Sequence, residues 1–335
     1  MKFGLRMCDW FGSVENMVRL GVLAEKNDFD SVWVSHDIFM RSSMVTLTII
    51  GAQTKKVYLG NTILNPYTTN PAEIAMYLSA LDEYTKGRAL CGLSAGALEY
   101  LRWLGIEHER PLTRVKETVD VLRKLWAGEN AAYSGKEIKW GSECYMRFTQ
   151  YKNKIPIYIG GQGEKLLAYS GAYGDGVLPI LYPPEFIDIA MERMKAGARE
   201  VGRDFSKVDV AGCVWMSISK KGELAEKPLR TLIAYFGPML GELGLSTIGL
   251  SHKDFEPIQE VWRKEGLDAA AKLVTDRMLG LAIRGTPDDC IAKIEMLQKK
   301  GLQHISIGAP LGPDPEESVK LLGRYVIPYF REQEK

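Results

Sequence analysis

Eight short apolar runs punctuate this chain, with amphipathic stretches of helical period between them. The runs are Lys2 to Met7, Ser31 to Ser35, Val57 to Leu64, Ala89 to Leu93, Ile155 to Ile159, Gly176 to Ile180, Val208 to Ile218 and Ile305 to Ile307. They are rich in Val, Ile, Leu and aromatic residues, are bounded by Gly, Asn or Pro, and are too short for helices, so each reads as a strand. Helical patterns cover Val14 to Asn27, Ala72 to Tyr84, Pro111 to Leu125 and Asp314 to Tyr325. Pro111 stands where a missing N–H costs nothing, and Asp314-Pro315 is a good cap and first turn. Strand followed by helix, repeated, predicts a closed parallel barrel or an open doubly wound sheet. The first run ends in Met7-Cys8-Asp9-Trp10 with no G-x-G-x-x-G, which turns the reading away from the nucleotide-binding open sheet. A chain of 335 residues suits one large α/β unit, a (β/α)8 TIM barrel spanning 1–335.

Two stretches break the repeat. Residues 220–278, with glycines at 237, 241, 244 and 249, read as a helical insertion after the seventh strand. Residues 130–151 read as a smaller excursion after the fourth strand, of hairpin type. Long loops on a compact barrel are often functional lids. A net charge of +1 offers no basic excess for a phosphate backbone, so no nucleic-acid partner is expected. The five cysteines, at 8, 91, 144, 213 and 290, form no C-x-x-C pair, which fits neither a disulfide framework nor a zinc site. No charged region leads into a long apolar stretch, and no apolar run reaches the roughly 20 residues of a membrane span. A cytoplasmic protein without a membrane partner is expected.

In a barrel the chemistry gathers at the C-terminal ends of the strands. Those ends carry Cys8, Asp9 and Trp10; Ser35, His36 and Asp37; Asn61 to Asn65; and Ser94 to Ala97. The fifth carries Gly160, Gly161, Gln162 and Gly163, and the eighth Gly308, Ala309 and Pro310. The Gly160–Gly163 turn precedes a helical pattern, so it suits an anion held on free N–H groups. A tight strand-to-helix turn explains it equally well. Ser35-His36-Asp37 is the strongest polar cluster, because His exchanges protons near neutral pH and a carboxylate can orient it. Both side chains reach one pocket only if the strand ends between them. Of the rest, His304 starts a strand and reads as structural, and His108 reads as solvated. His252 falls in the possible lid, Cys8 reads as an inert thiol and Trp33 as core. No Ser-His-Asp triad, metal motif or carboxylate pair stands out.

Several segments resemble the luciferase-like monooxygenase superfamily. They are FDSVWVS (29–35), YLGNTILNPYTTNPAEIAM (58–76), LDEYTKGRALCGLSAG (81–96), KIPIYIGGQGEKLL (154–167), GDGVL (174–178) and the long block 285–323. The last block is similar to the F420-dependent methylene-tetrahydromethanopterin reductase branch in particular. The resemblance implies a deazaflavin at the barrel mouth, and hydride transfer to or from a small molecule, with methylene-tetrahydromethanopterin one candidate substrate. It implies a non-proline cis peptide at Thr62–Ile63, a phosphate site at Gly160, Gly161, Gln162 and Gly163, and cofactor contacts from Asp9, Ser35, Asn65, Ser94 and Gly96. It assigns catalysis to His36 and Asp37, and implies a homodimer or higher homo-oligomer with helix 71–84 near the interface. Two positions depart from the branch. His36-Asp37 stands where relatives have Asp then His, and Ala97 stands where they have an acid. The departures keep two alternatives open: an FMN-dependent monooxygenase, and a non-catalytic cofactor-binding homologue.

Overall fold

The structure is a computed structural model and describes residues 1–333. Its strands are β1 (Lys2–Met7), β2 (Ser31–Val34), β3 (Tyr58–Asn61), β4 (Ala89–Leu93), β5 (Tyr133–Ser134), β6 (Lys139–Trp140), β7 (Ile157–Gly161), β8 (Gly176–Pro179), β9 (Asp209–Ile218), β10 (Ile283–Gly285) and β11 (His304–Leu311). Parallel pairing runs β11-β1-β2-β3-β4-β7-β8-β9 and returns from β9 to β11, which closes an eight-stranded barrel. The helices packed around it are α1 (Val14–Lys26), α2 (Ser43–Gln53), α3 (Pro71–Thr85), α4 (Leu98–Trp103), α5 (Pro111–Trp126), α6 (Glu164–Tyr173) and α7 (Ile187–Glu200). The insertion between β9 and β11 holds α8 (Glu226–Phe236), α9 (Glu242–Ser246), α10 (Glu256–Glu265), α11 (Leu267–Ala271) and α12 (Asp276–Leu279). The outer layer ends with α13 (Pro287–Lys299), α14 (Pro315–Leu321) and α15 (Ile327–Glu332).

The eight expected strands are the eight barrel strands, and the excursion after the fourth contains the β5–β6 hairpin. Four details differ. β10 was not foreseen: it is three residues long and pairs with Met216–Ile218, beyond the reach of β8. β7 runs on through Gly160 and Gly161, so the turn is Gln162-Gly163 alone. β11 runs through Gly308, Ala309 and Pro310, with a register shift between Gly308 and Pro310. The last helical pattern is broken by a π-helical turn at Leu322–Val326. Local signals set the helix starts: Pro111 opens α5 and Asp314 caps α14 ahead of Pro315, as expected, while Ser13 caps α1 and Asn70 caps α3 ahead of Pro71.

Period-two alternation divides each strand between two cores. In β1, Phe3, Leu5 and Met7 face the helices and belong to the large outer core. Gly4 and Arg6 face the bore. A separate inner cluster fills that bore: Trp33, Leu90, Tyr158, Leu178, Ala211 and Cys213. Trp33 and Tyr158 meet edge to face at 5.1 Å. They fit because glycines from three other strands leave room, since a Cβ on Gly60 or on Gly176 would lie 2.2 Å from Trp33 or Tyr158, and one on Gly4 3.0 Å from Trp33.

Beneath this plug lies a polar layer. The Trp33 indole donates to Ser31 Oγ at 2.9 Å, and the Tyr158 hydroxyl donates to Asp209 at 2.8 Å. His304 spans the two, 3.2 Å from Ser31 Oγ and 3.3 Å from Asp209. The set has the order of a nucleophile relay, but Ser31 is 2% exposed and its oxygen already accepts from Trp33. It therefore supports the plug, and His304 is structural, as its place at a strand start suggested. Gly60→Ala drives a methyl into the Trp33 ring. Overpacking of this kind costs about 1–3 kcal/mol, so a lower thermal midpoint is expected, and an unchanged midpoint would contradict this packing.

Candidate active site

Above the plug, at the C-terminal ends of the strands, the barrel opens into a cavity of about 440 Å³. Every wall comes from a different strand end. Ser35, His36 and Asp37 follow β2; Thr62, Ile63 and Asn65 follow β3; Ser94 and Gly96 follow β4. Gly160, Gly161 and Gln162 complete the wall at β7. Two expected residues lie outside it. Asp9 is turned to Arg41, accepting its backbone N–H at 3.1 Å and its guanidinium at 2.9 Å, so it ties the loops after β1 and β2 together. Gly163 is the N-cap of α6 and does not line the cavity.

His36 and Asp37 share the cavity because β2 ends at Val34, before either of them. A hydrogen-bond chain orients the imidazole. Asn61 Nδ2 donates to Ser43 Oγ at 2.6 Å, and that hydroxyl and the Ser43 backbone N–H donate to His36 Nδ1 at 3.0 and 3.3 Å. With Nδ1 accepting, the proton of the neutral ring sits on Nε2. Burial lowers the His36 pKa, which favours that neutral form. The Asp37 carboxylate makes no protein hydrogen bond among the described residues. Burial raises its pKa to about 6, against a downward pull from Arg6 and with a further upward push from Asp9. A donor and a near-neutral acid therefore stand side by side.

The adjoining wall, from β3 round to β7, is built for close approach. The Thr62–Ile63 peptide is cis, as the resemblance implied. Thr62 Oγ1 is buried without a hydrogen-bond partner. A Cβ on Gly160 would lie 3.1 Å from Ile63, so the glycine keeps this part of the wall open. Gly96 has φ +80° and packs on Asn65, whose Oδ1 accepts the N–H groups of Tyr67 and Thr68 at 3.1 Å each. The start of α6 presents free N–H groups next to Gly163, where an added Cβ would meet open space. The insertion reaches this end too: the Gln162 amide lies 2.5 Å from where Cβ atoms would stand on Gly241 and Gly244. Phe236, at the end of α8, packs on Trp10 and Trp215.

Sequence reasoning missed Arg6, Tyr182, Tyr100 and Cys213, all of which line the cavity. For Arg6 a signal existed. In a closed barrel, the polar alternate of an apolar strand points into the bore and not to water. Tyr182 follows β8 by three residues and stacks on Trp215 at 4.2 Å, a contact set only by the tertiary fold. Among the other histidines, His108 is not simply solvated. It bonds the Ala95 carbonyl at 3.2 Å and packs on Tyr67, so it braces the loop after β4. His252 bonds the Leu240 carbonyl at 2.7 Å within the insertion. Cys8 lies outside the cavity, and burial raises its pKa, which keeps it a thiol. Trp33 is core.

The family model of luciferase-like monooxygenases matches residues 9–304. The chain belongs to that family. It is 35% identical over 307 residues to the 5,10-methylenetetrahydromethanopterin reductase of Methanolobus tindarius, covering 91% of this chain and 93% of that one. It is 32% identical to the Archaeoglobus fulgidus enzyme of the same name, covering 99% and 100%. The solved structure of the coenzyme F420-dependent tetrahydromethanopterin reductase from Methanopyrus kandleri superposes with a TM-score of 0.92 at 29% identity, covering 98% and 99%. The cavity of this luciferase-like barrel thus sits at the strand ends where the fold places chemistry.

An acid whose pKa rises from 3.8 to about 6 on folding contributes stability that is full below 3.8 and is lost as pH rises through 6. Asp37→Asn removes that loss. The variant is expected to melt several degrees above the wild type at about pH 8, and with it at about pH 4, the gain being roughly 2 kcal/mol. Matching midpoints at both pH values would show that the carboxylate is solvated.

Proposed function

We propose that this protein is an oxidoreductase that transfers a hydride between coenzyme F420 and a small electrophilic molecule. What carries the reading is the cavity itself. It combines a flat wall at Ile63, an unsatisfied Thr62 hydroxyl, a glycine-lined end at Gly160–Gly161 and a proton-bearing pair, in a barrel that matches F420-dependent reductases from end to end. These residues fit the cofactor. Thr62, Ile63, Asn65, Ser94 and Gly96 would hold its ring, and Gly160 to Gly163, with the start of α6, its phosphate. When bound, the cofactor supplies or accepts the hydride at its ring.

The chain's own residues do the rest. His36, fixed through Ser43 and Asn61, offers Nε2–H to the acceptor atom that gains electron density. Asp37, poised near 6, holds or releases the proton that balances the hydride. Phe236, at the end of α8, joins the insertion to Trp10 after β1 and to Trp215 of β9. The protein works as a homo-oligomer, in keeping with the resemblance and with Met76 and Tyr84 exposed on α3. We place it in the cytoplasm, in keeping with its five free cysteines.

Side-by-side fluorescence titrations with F420 and FMN test the cofactor. Micromolar binding of F420 and weaker binding of FMN are expected. Preference for FMN, with oxygen consumed by the reduced flavin complex, would overturn the proposal. With reduced F420 and an accepted substrate, His36→Ala should lower kcat/KM by about a hundredfold or more, while F420 affinity stays within a few-fold. Unchanged turnover would remove His36 from the chemistry.

A further inference from the structure

Arg6 is the one guanidinium lining the active cavity among the described residues. It stands one residue before the end of β1, facing the bore, with its surroundings shaped to hold it. A Cβ on Gly308 would lie 2.2 Å from Arg6 Nη2, so only glycine leaves space for the group there. Nη2 donates to the Tyr182 hydroxyl and to the Val214 carbonyl at 3.2 Å. Tyr182 is itself held by its stack on Trp215. Burial keeps the Tyr182 hydroxyl protonated, so it does not cancel the charge.

The remaining donors are not satisfied by the protein. Nε is buried with no hydrogen-bond partner. Nη1 makes no protein hydrogen bond, and it is not among the buried unpaired atoms, which leaves it facing the cavity. No carboxylate lies within ion-pair distance of Arg6 among the described residues. Asp37, in the loop after the neighbouring strand β2, interacts with it at longer range than an ion pair. A guanidinium taken out of water without a counter-ion is costly, and its planar fork matches a carboxylate better than any neutral group.

We infer that Arg6 is a specificity-determining residue of the cavity, and that its guanidinium receives a carboxylate carried by the electrophilic substrate. The inference rests on the proposed hydride transfer for the word substrate, and on Arg6 alone for the carboxylate.

The test uses the intact protein, with and without saturating F420, and two probes of one shape, benzoate and benzamide. Calorimetry should show benzoate binding at least about tenfold more tightly than benzamide in both states. Arg6→Gln should abolish that preference, with benzamide affinity and F420 affinity each moving less than about threefold. Gly308→Ala, which displaces the guanidinium without removing its charge, should weaken benzoate as well. If Arg6→Gln does not fold, the wild-type pair of probes still decides, since equal affinities would overturn the inference. Loss of benzoate binding when F420 is added would also overturn it, because Arg6 would then serve the cofactor. Arg6-dependent benzoate binding in a protein that takes up no F420 would leave the carboxylate site standing and remove the hydride-transfer reading instead.

Discussion

Closing a parallel sheet on itself buries both faces of every strand, and the rest of this molecule follows from that. The outer faces need helices, and the repeat supplies them. The inner faces need a filling narrow enough for a bore ringed by eight strands. Here two aromatic rings from β2 and β7 do most of it, and three glycines on other strands make them fit. The plug divides the bore. Below it the strand starts are sewn together by Ser31, His304 and Asp209. Above it the strand ends diverge into a cavity whose floor is the top of the same inner cluster, with Ile63, Leu178 and Cys213 shared between them.

The division also sets the electrostatics of the site. Within a volume of about 440 Å³ stand a cation with no ion-pair partner among the described residues, an acid raised toward neutrality, and an imidazole shifted toward its neutral form. Each is held in place by its neighbours: Arg6 by the Val214 carbonyl of β9 and by Tyr182, His36 by Ser43 at the start of α2, and Asp37 by the loop that leaves β2. Burial is the leading cause of both the His36 and the Asp37 shifts, and it moves them toward their uncharged forms. Such a site costs stability, and groups perturbed in this way cluster at functional sites.

Much of this was legible in the residues. Short apolar runs between helical patterns gave the barrel because burial on both faces leaves a strong mark. His36, Asp37, Ile63 and Gly160 came into view because each stands within three residues of a strand end. What escaped reading depended on contacts far apart in the chain. Arg6 was passed over, because its place in the bore depends on closure of the barrel. Asp9 looked like a strand-end ligand, but the loop after β2 brings Arg41 to it. Three residues of β10 carry too little pattern to be seen, and β10 forms only because β9 outruns β8. The Ser31–His304–Asp209 layer joins three strand starts separated by more than 90 residues at each step, so no spacing could announce it.

The most direct test of the account is a crystal structure of the protein with F420. The account predicts the deazaflavin ring in the cavity against Ile63, its phosphate at Gly160–Gly163, and Arg6 left open to the bore. A cofactor bound elsewhere, or a ring anion seated on Arg6, would contradict it.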